Sequence, residues 1–421
     1  MFKELLFLLL LLIQILTKVP LVVTVNDVNE AVSISECIEI DEGGYYKLTS
    51  NISGLLKDKW SCINVVADHV VIDGNGFSIT GSPGHEISGT GIAVTGNNVI
   101  IKNFVSVSNY AQGILVTESS EVKIFDNTIS GNAAVITIDR SSNVSLSKNT
   151  ILGMNIAVGV NILNSTGVTV ENNAILNSSA GVFISKSNGV KIIDNSILNA
   201  ISAGVSLQES SDNIVSNNKI SGGGIHGLLI ASSSDNIVVH NTISDAAIGI
   251  DLSIGLSKDN QIYDNMFNNA INAKVSNLPN TWNTTLKQGV NIAGGNWIGG
   301  NAWLNPVGRG YSQTCLDLRE PYGICDEPYV IGENNIDYLP LVASTSAPTS
   351  TITTTTITST STQTTTPTLP TTATSPTLTI TQTTTRIEQP STTSILIFVI
   401  VFTIIAVTIL TTIAYLILKK M

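Results

Sequence analysis

Eight segments of this chain carry an Asn at nearly constant spacing, and that repeat limits the fold more than any other feature. The aligned residues are Asn103, Asn127, Asn149, Asn173, Asn195, Asn218, Asn241 and Asn265, separated by 24, 22, 24, 22, 23, 23 and 24 positions. An apolar residue stands three before the Asn (Ile100, Ile124, Leu146, Val170 and onward) and another two after it (Val105, Ile129, Ile151, Ile175 and onward). A further short strand follows, usually opened by Gly: GILV at 113, GVNI at 159, GVFI at 181, GVSL at 204, GLLI at 227 and GIDL at 249. Its alternation turns Ile114 and Val116, Val160 and Ile162, Val182 and Ile184 and their equivalents to one side. No unit of this size closes a core by itself. Stacked units do, because equivalent strands pair and the apolar rows line one axis.

The alternatives fail on local chemistry. Asn, Gly and Ser interrupt every stretch long enough for a helical repeat. A propeller blade needs ~40–45 residues. The pattern therefore predicts an all-β, right-handed parallel β-helix with three faces and about 23 residues per coil. The recurring Asn tolerates a left-handed turn, and its amide can bond the equivalent Asn one coil away, at the ~4.8 Å strand spacing. Upstream, YYKLTSNI (45–52), CINVV (62–66), VVIDGNGFSITG (70–81) and GIAV (91–94) read as earlier strands, for roughly ten coils. The β-helix with its N-terminal cap is expected over 26–289 and a C-terminal cap, holding two of the four Trp, over 290–343.

The ends read as membrane signals. Leu5 to Ile13 is an apolar run behind Lys3, so 1–25 reads as a signal peptide. Residues 345–394 hold 25 Thr in 50 positions, a composition of O-glycosylated stalks; the stalk is taken as 344–394. Ile395 to Leu418 is 24 uncharged residues followed by Lys419 and Lys420, which predicts one transmembrane helix, a cytoplasmic tail at 419–421 and an extracellular body. Four Cys suit an exported protein, and chain order suggests Cys37–Cys62 and Cys315–Cys325 among three possible pairings. Sequons stand at Asn51, Asn143, Asn164, Asn177 and Asn283. A net charge of −11 without Lys/Arg runs argues against nucleic acid as a partner.

The DGNG turn behind a VVI strand, the N-x-I and G-I repeats, and the ending GGNWIGG…GICDEPYVIGENNIDYLPL resemble the NosD-like family, within the carbohydrate-binding and sugar-hydrolase group of right-handed β-helices. The likeness covers about residues 36–342 and extends to archaeal surface proteins with a Thr-rich stalk and a membrane anchor. It implies the fold; for activity it allows enzymes and binding modules alike. In many such relatives the segment before a terminal D-x-P-Y resembles a calcium site. Here Asp317 and Asp326 remain, but Arg319 and Tyr322 stand where oxygen ligands are usual, so the resemblance leaves Ca²⁺ as the one cofactor to weigh. Namesake relatives are linked to copper-site maturation, yet the soft ligands Cys, Met and His form no cluster in this sequence.

The outward rows carry little chemistry. That of the Gly-opened second strand is Leu115, Thr137, Asn161, Phe183, Ser206, Leu229 and Asp251, which reads as one carboxylate without a partner. The row two before the Asn holds only Glu171. The row just before it, with Lys102, Asp126, Lys148, Asp194, His240 and Asp264, alternates in sign and reads as a solvated turn edge. Asp126 and Asp194 stand three coils apart, ~14 Å, too far to share one scissile bond. Glu118/Arg140 and Lys186/Glu209 read as surface ion pairs, and His226 and His240 as facing different ways. No catalytic or metal residue is assigned. The function expected is a membrane-anchored, cell-surface β-helix that binds glycans or envelope proteins. The alternative is a polysaccharide hydrolase or lyase, whose site would fall in the loop Gly81–Gly91 with His85 and Glu86.

Overall fold

The computed structural model describes residues 31–56, 59–81, 88–222 and 224–343. The signal, stalk and anchor readings lie outside these residues, as do His85 and Glu86. Among the described residues no helix is long and apolar enough to cross a membrane.

One coil shows the plan. Lys123–Phe125 lies on a first face, Thr128–Ser130 on a second and Ala134–Asp139 on a third. Each face is an 11-stranded sheet in which a strand pairs with its equivalents one coil away. The pairing is parallel and in register: Ile124 meets Leu146, Ile129 meets Ile151, and Ile136 meets Val160. β-Branched residues suit these short strands, and the inward members of all three faces form one continuous buried core. The chain is thus a parallel β-solenoid that advances by 22 to 24 residues per rung through its middle.

The turn from the first to the second face explains the Asn. The residue before it is left-handed in every coil: Asp126, Lys148, Asn172, Asp194, Asn217, His240 and Asp264 have φ between 54° and 57°. Lys148 and His240 adopt this geometry against a preference of about 1–2 kcal/mol, so the stacked rungs impose the turn. The Asn then points inward. The Asn195 backbone N–H and Nδ2 both donate to Asn218 Oδ1, at 2.9 and 3.0 Å, while Nδ2 also donates to the carbonyls of Val170 and Ile193. The same links run from Asn127 through Asn149, Asn173, Asn195, Asn218 and Asn241 to Asn265.

Asn103 is not in this column. One additional residue separates Lys102 from Val107 compared with Phe125 and Ile129, whose partners they are. Phe104 therefore fills the slot and donates its backbone N–H to Asn127 Oδ1 at 3.1 Å. Asn103 becomes the left-handed, exposed residue, with φ 60°. The inward residues shift with it: Ile101 and Val107 are buried, whereas Val105 is exposed. At the other end the column runs on through Asn301, 36 residues beyond Asn265, to Asp337.

Two further ladders escaped the sequence reading. Ser119, Ser141, Ser165, Ser187, Ser210 and Ser233 stack between the third and first faces, each backbone N–H donating to the next Oγ. Beside them Asn213, Asn236, Asn260 and Asn280 form a second amide column. The signal was present as Ser-Ser, Ser-Thr and Ser-Asn pairs at the coil period, in segments without apolar alternation to draw attention.

The segments read as caps also supply rungs. Val32–Ile34 and Ile38–Ile40 pair with Gly44–Leu48 and Ser61–Val65, and Ala302–Leu304 pairs with Met266–Asn268. The final sheet edge is then covered. Trp303 stacks on Phe267 at 4.9 Å and packs against Trp282 and Tyr329, beside the short helix α1 (Tyr311–Thr314).

Disulfides join Cys37 to Cys62 and Cys315 to Cys325. The first ties the two opening strands of the third face, across a separation of 25 residues. Loop-closure entropy for such a loop is worth about 3 kcal/mol. Replacing Cys37 and Cys62 together by Ala is expected to lower the urea midpoint and to expose the N-terminal coils first. Hydrogen exchange should show that loss confined to residues before about 100; uniform loss along the chain would contradict it.

Candidate functional site

The outer side of the third face collects polar side chains from successive coils. Alternation turns Ile138, Leu207 and Ile230 into the core, so Thr137, Ser206 and Leu229 point away from it. Register stacks Leu115, Thr137, Asn161, Phe183, Ser206, Leu229, Asp251 and Lys274 into one column. Yet Thr137, Ser206, Leu229 and Asp251 are buried, Asp251 to 1% exposure. These side chains face outward and are covered by their neighbours. Ala203, Leu229 and Ala231 form a small apolar cluster of their own there.

Within this strip Asp251 has partners that the sequence reading did not see. His226 Nε2 lies 3.3 Å from Asp251 Oδ2. Ser253 donates its backbone N–H and its hydroxyl to Asp251 Oδ1, at 2.8 and 2.6 Å. The sequence reading had set His226 only against His240, as facing a different way; His226 opens the strand His226–Ala231, one coil before Ile248–Leu252. Lys274 follows Asp251 one coil further on and is exposed. Among the described residues, four buried side-chain polar atoms lack a hydrogen-bond partner, and two of them, Thr137 Oγ1 and His226 Nδ1, belong to this strip. Buried polar groups in folded proteins are normally bonded, so these two are exceptions within the strip.

The remaining candidates are engaged in holding turns. His240 Nδ1 lies 2.9 Å from Asp264 Oδ2, and Asp264 Oδ1 accepts the Ile292 N–H. Asp126, Lys148 and Asp194 line that turn edge on separate coils, as left-handed turn residues. Arg140 bonds Glu118 and Asp139, and Lys186 lies 3.9 Å from Glu209, all near the surface. In the DGNG turn Asp73 accepts from Tyr45, Asn75 and Asn103 with Lys102 alongside. Burial works to raise the Asp73 carboxyl, but these donors together hold it below the usual carboxylate range. The hydrogen bond to Asp73 in turn raises the Tyr45 hydroxyl.

Metal-type donors are dispersed. Asp326 accepts the backbone N–H groups of Leu318 and Arg319, and Asp317 accepts that of Gly323, so the two carboxylates brace their loop from within. All four Cys are in disulfides. Among the described residues no three His, Cys, Asp or Glu converge on a common point.

The sequence matches the family model described as periplasmic copper-binding protein (NosD) over residues 28–203 and 153–308. The chain belongs to the NosD family. No curated protein matches it. Among solved structures this NosD-family chain is similar to a mutant of the periplasmic alginate epimerase AlgG, at 16% identity and a TM-score of 0.48, over 57% of this chain and 65% of AlgG. It thus spans slightly under two thirds of AlgG. It is also similar to DFA-IIIase from Arthrobacter chlorophenolicus, at 15% identity and TM-score 0.44, over 58% and 75% of the two chains. A third likeness is to the Dettilon tailspike protein, at 13% identity and TM-score 0.38, over 56% and 46%. At such identities and scores these likenesses carry nothing about activity.

Proposed function

We propose that this NosD-family β-helix is an exported saccharide-binding protein that lays a neutral glycan strand along the outer side of its third face and leaves it chemically unchanged. The observation that carries the reading is the outward column that runs in register from Thr137 to Leu229, with Asn161 and Phe183 part-exposed along it. Thr137 and Leu229 stand four coils apart, ~19 Å, a span suited to a linear chain of sugar rings. Between them the strip offers Asn161, Ser206 and Phe183, which pairs hydroxyl and amide bonding with an aromatic surface. The column from Leu115 to Lys274 carries one acid, already bonded, and one base, and the chain is net negative, which disfavours polyanions. The signal-like start, the Thr-rich tract and the apolar run Ile395–Leu418 support display on a membrane, with surface glycans or envelope proteins as partners.

Hydrolysis calls for two carboxyl groups ~5–9.5 Å apart. Asp251 is the one carboxylate in that column, and it is occupied by His226 and Ser253. A second reading rests on His226 itself. A His oriented by a buried Asp, with Lys274 one coil on, is the arrangement a lyase or epimerase uses to take a proton beside a carboxylate. The copper named in the family description does not carry over: the Cys are oxidised, Met154 is exposed, and His69, His226 and His240 engage Asn98, Asp251 and Asp264 separately.

The test is a glycan panel with the purified chain, read for binding, new reducing ends and unsaturated uronates. Saturable binding of neutral glycans without turnover is expected, weakened about tenfold by His226→Ala and several-fold by Thr137→Val. Turnover lost in His226→Ala would replace binding by the second reading. Neither binding nor turnover would leave a spacer and remove both.

A further inference from the structure

We propose a second saccharide site, separate from the third face, in the C-terminal cap. A cleft of about 510 Å³ opens between two loops and is lined by Leu286, Asn296, Trp297, Glu320, Pro321 and Tyr322. The cleft is shallow and largely open to solvent, which suits a chain laid across it. Both walls are braced from behind. Trp297–Ile298 pairs antiparallel with Lys287–Gln288, Gly289 N–H donates to the Asn296 carbonyl, and Asn291 Nδ2 donates to the Trp297 carbonyl at 2.7 Å. The opposite wall, Glu320–Tyr322, sits inside the loop closed by Cys315–Cys325. The carboxylates of Asp317 and Asp326 hold that loop through three backbone N–H groups. The Cys325 N–H ties its end to the Pro340 carbonyl. This bracing fixes the aromatic pair before a ligand arrives, which removes ordering cost from binding.

The chemistry of the lining selects the ligand. Trp297 and Tyr322 present flat apolar rings, and Tyr322 is 59% exposed. Such rings pack against the C–H face of a pyranose, while Asn296 and Glu320 bond its equatorial hydroxyls. Glu320 brings negative charge, and the nearby cation Arg319 is drawn to Glu327 at 3.5 Å. The site therefore takes neutral sugars and repels uronates and sulfated glycans. Its residues share nothing with the third-face strip, so either site can stand without the other.

Isothermal titration calorimetry of the purified chain with cellohexaose, maltohexaose, mannohexaose and xylohexaose tests this, with hexagalacturonate as the anionic probe. Saturable binding of at least one neutral hexasaccharide is expected. One site should weaken at least tenfold in both Tyr322→Ala and Trp297→Ala and keep its affinity in His226→Ala, whatever that variant does to the third-face site. Should Trp297→Ala unfold the cap, Tyr322→Ala on the exposed wall decides alone. Binding untouched by Tyr322→Ala, equal affinity for hexagalacturonate, or no binding of any of the four would overturn the assignment. A loss in His226→Ala alone would move the binding to the third face.

Discussion

Replacing Asn195 by Ala is expected to lower the stability of the coil stack by about 4 kcal/mol or more. The substitution leaves the Asn173 N–H without its acceptor, takes one of three acceptors from Asn173 Nδ2, and removes one donor each from the carbonyls of Val170 and Ile193 and from Asn218 Oδ1. All lie in the buried turn, where each unmet group costs ~1–3 kcal/mol. Because rungs interact mainly with their neighbours, the damage should divide the stack at this coil. Urea unfolding followed by far-ultraviolet dichroism should then change from one transition towards two. Glu209→Ala, which removes an exposed partner of Lys186 on the next coil, is the control and should shift the midpoint little. If Asn195→Ala behaved like Glu209→Ala, the amide column would be decorative.

The second large effect concerns Asp337 and acid. This residue ends the amide column and is wholly buried. Its position needs acceptors only: Asn301 and Trp303 donate to Oδ2 and the Leu339 N–H donates to Oδ1. Among the described residues no further rung lies beneath to receive a donor, which fits a carboxyl here and an amide elsewhere. Burial nevertheless pushes its pKa up, to about 7, against the lowering effect of those donors. The folded pKa exceeds the unfolded value of 3.8, so the folded state binds the proton more tightly. Its contribution is complete below about pH 4 and is lost as pH rises towards 7. A shift of this size corresponds to ~4 kcal/mol. Stability should therefore fall across that window and level above it, in the opposite sense to the loss below pH 4 expected from Asp73. In Asp337→Asn the slope should vanish, and stability should be lower at pH 4 because the amide NH₂ would oppose an N–H donor. An unchanged slope in that variant would assign the pH dependence to other groups.

The repeat was legible because each coil obeys the same local rules. Ile124, Ile129 and Ile136 reappear one period on as Leu146, Ile151 and Val160, and the left-handed residue always precedes the Asn. Reading failed where the period changed. One added residue moved Asn103 out of the column and put Phe104 in, and the jumps of 36 residues to Asn301 and to Asp337 hid the last two rungs. The candidate site was less legible still. Asp251 looked solitary because its partner, His226, is a coil away and sits at the other end of its strand.

The amino-acid order by itself determined that this chain stacks, which residues face the core and where the turns fall. Those properties repeat along neighbouring positions, where side-chain period and turn preference act directly. Only the folded coil decided that His226 meets Asp251, that Thr137 Oγ1 lies buried without a partner, and that a disulfide-bound loop faces Trp297. Such contacts depend on how far the chain travels before it returns, and single insertions reset that distance without leaving a mark in the local pattern.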